Sequence, residues 1–122
     1  MLGESTVTAT IAVKDAAAAK KFYSETLGLQ IVRKEPILVY KSGDNLLYVY
    51  ESPTGGTGQA SCATWNVEDI EAVVKDLQTR GVQFEHYDFG GGLPEGDIHI
   101  NGDSKAAWLK DPDGNILALV QM

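Results

Sequence analysis

The sequence predicts an α+β fold built from two similar halves, each with the element order β-α-β-β-β. Each half opens with a segment in which apolar and polar residues alternate, as in a strand with one buried face. A helical pattern follows in each half, beginning after an Asp and ending at a Gly. Asp15 and Asp69 are 54 positions apart, and Gly28 and Gly81 are 53 apart. Two nearly equal offsets indicate an internal duplication.

The first half begins with the strand 6–13, whose odd-numbered residues from Val7 to Val13 are apolar. Asp15 is placed to cap a helix over Ala16 to Leu27. Gly28 closes that helix, because glycine accepts the left-handed conformation found at helix ends. Three further strands are predicted over Leu29 to Arg33, Ile37 to Lys41 and Leu46 to Glu51, with a Gly43-Asp44-Asn45 turn before the last.

The second half repeats this plan from residue 60 onward. Its first strand covers Ala60 to Val67, and its helix runs from Asp69 to Gly81 with apolar residues at helical spacing. Near the end of the chain, Asp111-Pro-Asp-Gly-Asn115 is typical of a tight turn between two strands. The remaining strands are predicted over Val82 to Tyr87, around Ile98 to Ala107, and over Ile116 to Gln121.

The chain is therefore expected to form one domain from two modules, 1–53 and 60–122. The Gly-rich segment 54–59 between them has the composition of a flexible linker. A second Gly-rich stretch contains Gly90-Gly91-Gly92. It is predicted to be a plain loop, because it does not join a strand to a helix as a phosphate-binding loop does.

The composition excludes several classes of function. The 122 residues carry a net charge of −7, and nucleic-acid binding requires a basic surface. The chain has no apolar run near the ~20 residues that span a bilayer, and its first residues do not resemble a signal peptide. One cysteine cannot form an internal disulfide, which fits a reducing environment. We therefore expect a cytoplasmic protein that binds neither nucleic acid nor membrane.

Short motifs in both halves resemble a known family. In the first half they are Val13-Lys-Asp15, Lys21-Phe-Tyr23 and Leu27-Gly-Leu29; in the second they are Val67-Glu-Asp69, Gly81-Val82 and Lys110-Asp-Pro-Asp-Gly-Asn115. Together they resemble the vicinal oxygen chelate superfamily, which contains glyoxalase I, extradiol dioxygenases and bleomycin-resistance proteins. The resemblance implies paired βαβββ modules whose mixed sheets curl around a cavity, with the helices outside. It also implies a homodimer.

In metal-using relatives, four positions on the first and last strands of the two modules hold the metal. The matching positions here are Thr8, Tyr48, Cys62 and Ala118. Only Cys62 is a competent ligand, and only as a thiolate. A second metal site built from His86, His99, Asp97 and Glu95 has no familiar ligand spacing and is not expected. The sequence therefore predicts neither a metal nor another cofactor.

The same alignment predicts which side chains line the cavity. Three pairs of residues are expected to face the cavity, because side chains two positions apart on a strand point to the same face. The pairs are Thr8 and Thr10, Tyr48 and Tyr50, and Cys62 and Thr64. Such a wall of hydroxyl groups and aromatic rings suits an aromatic or partly polar organic molecule. Several alternatives stay open. Tyr48 and Tyr50 could be ordinary packing, Cys62 a buried small hydrophobe, and His86 an ordinary strand residue instead of a group at the cavity mouth. Trp108 could face the pocket or the core.

These observations favour a metal-independent binding protein of the bleomycin-resistance type, which holds a small organic ligand in the concave cavity. One alternative is a lyase, isomerase or dioxygenase-like enzyme with a non-standard site, using Tyr48, Cys62 or His86 as acid or base. Another is an accessory subunit whose cavity is vestigial.

Overall fold

The computed structural model describes residues 1–87 and 93–122, and the protein has the predicted α+β fold. The Gly90 to Gly92 prediction lies outside the described residues. The strands of the first half are β1 (Ala9–Val13), β2 (Gln30–Arg33), β3 (Leu38–Ser42) and β4 (Asn45–Glu51). Those of the second half are β5 (Ser61–Asn66), β6 (Phe84–Glu85), β7 (Leu93–Glu95), β8 (Ile98–Asn101), β9 (Ser104–Lys110) and β10 (Ile116–Gln121). The helices are α1 (Ala16–Lys21) and α2 (Ile70–Thr79), and Leu2–Glu4 forms a short 3-10 turn.

Both helical segments begin after the predicted Asp caps, and each is followed by the predicted glycine. The carboxylate of Asp15 accepts the backbone N–H of Ala18 at 3.0 Å, and that of Asp69 accepts Ala72 N–H at 3.2 Å. Gly28 and Gly81 follow with φ of 74° and 89°. In the first half, however, the α-helix changes at Phe22 into a π-helical turn, Phe22–Thr26, in which Leu27 N–H reaches back to the carbonyl of Phe22.

The strands form two mixed sheets with related topology. The first has the order β1-β4-β3-β2 and the second the order β5-β10-β9-β8-β7. In each sheet the first strand of the module pairs in parallel with the last one. The edge strands β1 and β5 lie side by side, and both helices pack over one shared core. The side chains at its centre include Ile11, Tyr23, Val49, Ile70 and Leu117.

The second half departs from the predicted order between β6 and β9. The region around Ile98 to Ala107, predicted as one strand, is two antiparallel strands that turn at Gly102, whose φ is 61°. β6 pairs with the last part of β9 and β8 with its first part, so two short strands together occupy one position beside β9. β7 pairs with β8 and forms the edge of this sheet.

The Gly-rich connection between the halves packs closely against other backbone segments at Gly55 and Gly56. Gly55 is buried, and a Cβ there would collide with the backbone of Val13. Gly56 has a φ of 75°, and a Cβ there would collide with the carbonyl of Asp113. At Gly55 and Gly56, glycine is therefore needed for the close approach of two backbones.

The turn between β9 and β10 joins the two halves. The carboxylate of Asp111 is buried and accepts four hydrogen bonds, from the Tyr23 hydroxyl, the Asp113 and Asn115 backbones and the Asn115 amide. The Asn115 amide also donates to the carbonyl of Ala12, and Asp113 accepts the backbone N–H of Lys14. The last hairpin is thereby tied to the end of β1 and to the first helical segment. In 1–87 and 93–122, neither helix is long and apolar enough to cross a membrane.

Candidate functional site

Each sheet has one face toward the helices and one face away from them, which we call the outer face. On the outer face of the first sheet, Val39, Tyr48 and Thr10 are direct neighbours across three strands. On that of the second sheet, Trp108, Ala118 and Thr64 are direct neighbours in the same way. Because β1 lies beside β5, these two rows form the floor of the candidate site.

The two tyrosines of the predicted set lie on this outer face. Along β4, Leu47 and Val49 are buried against the helices, while Tyr48 is half-buried and Tyr50 is 39% exposed. Thr10 on β1 is exposed, as is Thr64 on β5. The first row therefore offers one hydroxyl-bearing aromatic ring and one aliphatic hydroxyl to an approaching molecule.

Thr8 and Cys62, also predicted to belong to the set, lie at its margins. Thr8 precedes β1 and is half-buried. Cys62 stands at a register shift between β5 and β10 and is exposed as a residue, not buried as the small-hydrophobe alternative supposes. Its sulfur donates to the carbonyl of Ile116 at 3.4 Å. Partial burial of this sulfur and the charge of Asp111 raise the pKa of the Cys62 thiol, which makes it a poor nucleophile.

Trp108, whose face the sequence leaves open, lies on the outer face of the second sheet. It is 7% exposed and packs with Ile116 and Ala118 in a cluster separate from the core under the helices. Tyr87 and His99 both meet its ring edge to face, with ring centroids 5.8 Å and 5.2 Å away. The second row thus ends in an aromatic wall, while Trp65 packs against the core.

Behind this wall lies a histidine pair that spacing alone does not reveal. His86 follows β6 and His99 lies on β8. Because these two strands share one position beside β9, the two histidines lie close together. The Nδ1 of His86 is 2.8 Å from the Nε2 of His99, and the Nε2 of His86 is 3.1 Å from a carboxylate oxygen of Asp97. The only sequence signal for His99 is its place between two apolar residues of a strand, which indicates partial burial.

The residues of the floor do not fit the metal site used by the metal-dependent families named above. The register gives Thr10, Tyr48, Thr64 and Ala118 on the first and last strands of the modules, and none of these is a histidine or carboxylate. Cys62 in β5 and Thr8 just before β1 add one thiol, whose pKa is raised. Among the described residues, no group of three or more His, Cys, Asp or Glu side chains is arranged to hold a metal ion.

Two clefts lie on either side of Trp65, and the first of them shares Thr64 with the floor. One of about 400 Å³ separates the β3–β4 turn from the end of β5. The other, of about 330 Å³, is mostly apolar and lies beside α2, with Leu27, Val73 and Leu119 in its walls. The Trp65 indole N–H donates to the Ser42 hydroxyl at 2.9 Å, and both residues line both clefts.

Two halves of related topology, each with its first and last strands paired in parallel over one shared core, define a protein of glyoxalase type. The chain belongs to the Glyoxalase/Bleomycin resistance protein/Dioxygenase superfamily, whose family model matches residues 6–119. This confirms the family resemblance and the fold inferred from the sequence. No curated protein matches the chain significantly.

Solved structures of the same architecture include two proteins from Streptomyces sp. CB03234. TnmS3, an antibiotic binding protein, is 26% identical with a TM-score of 0.70, covering 97% of this chain and 97% of its own. A glyoxalase/bleomycin resistance protein is 27% identical with a TM-score of 0.69, covering 94% and 98%. Lactoylglutathione lyase from Agrobacterium tumefaciens is 17% identical with a TM-score of 0.73, covering 97% and 93%, and shares the fold.

Proposed function

We propose that this protein binds a small aromatic or partly polar organic molecule on the outer faces of its two sheets, without a metal ion. The observation that carries the proposal is the composition of the floor. Aromatic rings stand at both sides, at Tyr48 and at Trp108, and threonine hydroxyls lie between them. Rings supply stacking surface and hydroxyls supply directed hydrogen bonds, which is the usual chemistry of a small-molecule site.

Small side chains leave room at the centre of this floor. Ala118 lies between Thr64 and Trp108, where metal-using relatives place a ligand. An alanine at this position removes the metal ligand and also lowers the floor beneath a bound molecule. The structural likeness to an antibiotic binding protein supports a binding role, and that protein's ligand class is a sensible first panel for this chain.

Enzymatic function of the metal-dependent kind is the weaker candidate. Such chemistry needs a Lewis acid beside the substrate oxygens. The floor residues supply no set of ligands for one. The raised pKa of Cys62 also disfavours a thiolate nucleophile at neutral pH.

We also propose that a second copy of the chain completes the site. Leu46, Tyr50 and Val32 are large apolar side chains of the first sheet that are 39–49% exposed. A partner that covers them would exclude water from a molecule bound on the outer face. Sedimentation velocity over a range of protein concentrations measures this directly, and a strictly monomeric protein would contradict it.

The two tryptophans provide the test of where a ligand binds. In a Trp65→Phe variant Trp108 is the only tryptophan, and in a Trp108→Phe variant Trp65 is, so excitation at a wavelength that tyrosine does not absorb reports on one ring at a time. Compounds that raise the melting temperature in a screen should change the emission of the first variant and leave the second nearly unchanged. Tyr48→Ala should weaken such a ligand about tenfold, or ~1.4 kcal/mol.

The opposite pattern would overturn the proposed location. If only Trp65 emission responds, the ligand occupies one of the clefts beside Trp65. If a panel that includes glycopeptide and aromatic antibiotics gives no thermal shift, the accessory-subunit alternative gains support.

A further inference from the structure

We infer that Asp97, His86 and His99 form a proton relay that accepts the proton of an acidic hydroxyl on the bound molecule. The ligand class it selects is aromatic compounds with an acidic phenol group. This inference rests on the proposed binding function and adds the chemistry by which the site recognises its ligand.

The three side chains make one continuous line from the protein surface to the Trp108 wall. Asp97 and His86 have side chains 29% and 45% exposed, while His99 is 9% exposed. The two contacts along the line, 3.1 Å and 2.8 Å, are both within hydrogen-bond distance. His99 lies opposite Ala106 in the sheet register and meets Trp108 at an interplanar angle of 73°. The buried end of the line therefore belongs to the aromatic wall.

The carboxylate determines the tautomer of both rings. An ionised Asp97 only accepts hydrogen bonds, so the Nε2 of His86 carries the proton in that contact. In a neutral His86 the Nδ1 is then an acceptor, and the Nε2 of His99 must donate to it. The remaining nitrogen of His99, Nδ1, is left with a lone pair. Within the described residues, no hydrogen bond is found at this atom.

A ligand hydroxyl that meets this lone pair has a route for its proton. The O–H proton passes to His99 Nδ1, and the proton on His99 Nε2 passes to His86 Nδ1. The result is a ligand oxyanion, a neutral His99 and a His86 imidazolium paired with the Asp97 carboxylate. No proton is gained or lost, and the new positive charge is formed on the exposed ring beside an anion, where it costs least.

The neighbouring polar groups are consistent with this role. The amide of Gln78 donates to the second oxygen of Asp97 at 2.7 Å, which holds the carboxylate toward His86. Glu85, opposite Trp108 in the register, lies 3.8 Å from the ammonium of Lys110, so its charge is balanced. His99 is a basic group in direct contact with Trp108, at a centroid distance of 5.2 Å, and a phenol bound beside that wall is the simplest ligand that reaches it.

The test uses para-nitrophenol, whose phenolate absorbs visible light, and para-nitroanisole, which has the same ring but no acidic proton. Spectra are recorded one pH unit below the midpoint of the free phenol. We expect bound nitrophenol to be mainly phenolate, which corresponds to a midpoint lowered by about one unit or more. The isosteric Asp97→Asn variant should bind both probes but lose the phenolate signal about tenfold.

Asp103→Asn is the matched control, because Asp103 is exposed in the turn after β8 and carries the same charge. It should leave the phenolate signal unchanged. An equal loss in both variants would reduce the effect to long-range charge and overturn the relay. Equal binding of both probes with no phenolate would also overturn it, while leaving the binding function intact. If neither probe changes Trp108 emission in the Trp65→Phe variant, both proposals fail for aromatic ligands of this size.

Discussion

At each end of the molecule, a turn of one sheet meets the first strand of the other sheet. The two turns have similar sequences but differ in how closely they are joined to that strand. At one end the β9–β10 turn is joined to β1 and to the π-helical turn after α1 by a buried network around Asp111. At the other end the β3–β4 turn stands away from β5 across a cleft of about 400 Å³. One direct bond crosses near this gap, from Trp65 to Ser42. Related turns thus close one end and leave the other open.

The difference follows from two features of the turns. Lys110-Asp-Pro-Asp-Gly-Asn115 is one residue longer than Lys41-Ser-Gly-Asp-Asn45, and its second residue is Asp111 where the shorter turn has Ser42. A carboxylate accepts several hydrogen bonds at once, whereas a hydroxyl is satisfied by one or two. The longer turn with its carboxylate therefore organises its neighbours, whereas Ser42 in the shorter turn accepts one hydrogen bond, from Trp65.

The largest effect is expected from Asp111→Ala. It leaves the Tyr23 hydroxyl and the Asn115 donors buried without their acceptor, so we expect a loss of about 4 kcal/mol in the free energy of unfolding. Asp44→Ala, in the exposed turn at the open end, should change it by less than about 0.5 kcal/mol. Urea unfolding measures both. Similar losses in the two variants would contradict the comparison.

Tyr23→Phe isolates one bond of the closed end and should cost about 2 kcal/mol. Tyr40→Phe is its control, since Tyr40 is equally buried but its hydroxyl makes only neutral contacts of 3.3 and 3.5 Å. Its loss should be nearer 1 kcal/mol. Both variants keep the buried ring, so the difference between their losses in unfolding free energy measures the contribution of the charged acceptor.

The closed end also predicts a pH dependence. Burial, and then the Asp111 charge, raise the pKa of Tyr23 above its ordinary value of 10.0. A group whose pKa is raised on folding stabilises the protein fully below its unfolded pKa and loses that contribution as the pH rises above it. Unfolding free energy should therefore fall above about pH 10 in the wild type. This fall should be shallower in Tyr23→Phe. Identical slopes in the two proteins would contradict a contribution of Tyr23 to the pH dependence.

The smallest effect is expected at the open end. Ser42→Ala removes the partner of the Trp65 indole N–H, which then faces an open cleft where water can replace the hydroxyl. We expect a loss of no more than about 1 kcal/mol and a change in Trp65 emission. A loss as large as that of Tyr23→Phe would mean that the two ends are equally tied together.

Local signals in the sequence were sufficient for the elements that depend on local chemistry. Asp15 and Asp69 cap their helices, and Gly28 and Gly81 end them, because a cap needs only its own few neighbours. The family motifs also predicted the fold correctly. The division of one strand position between β6 and β8 was missed, since it depends on pairing with β9 at a distance along the chain.

The site was less predictable for the same reason. The parity of Tyr48 and Tyr50 follows from strand alternation, and the structure places both on the outer face. The face of Trp108 could not be read from a strand that is apolar on both sides. The contact between His86 and His99 exists only because two non-adjacent strands share one neighbour, and no spacing rule reports that.

The Asp111 network has a consequence for how the chain matures during synthesis. The carbonyl of Ala12 and the backbone N–H of Lys14 receive their partners from Asn115 and Asp113, about a hundred residues later. During synthesis β1 is thus made about a hundred residues before the groups that complete its hydrogen bonds. We expect the nascent first module to remain loosely held until the β9–β10 turn has been made, with its open edge prone to pair with other chains until then.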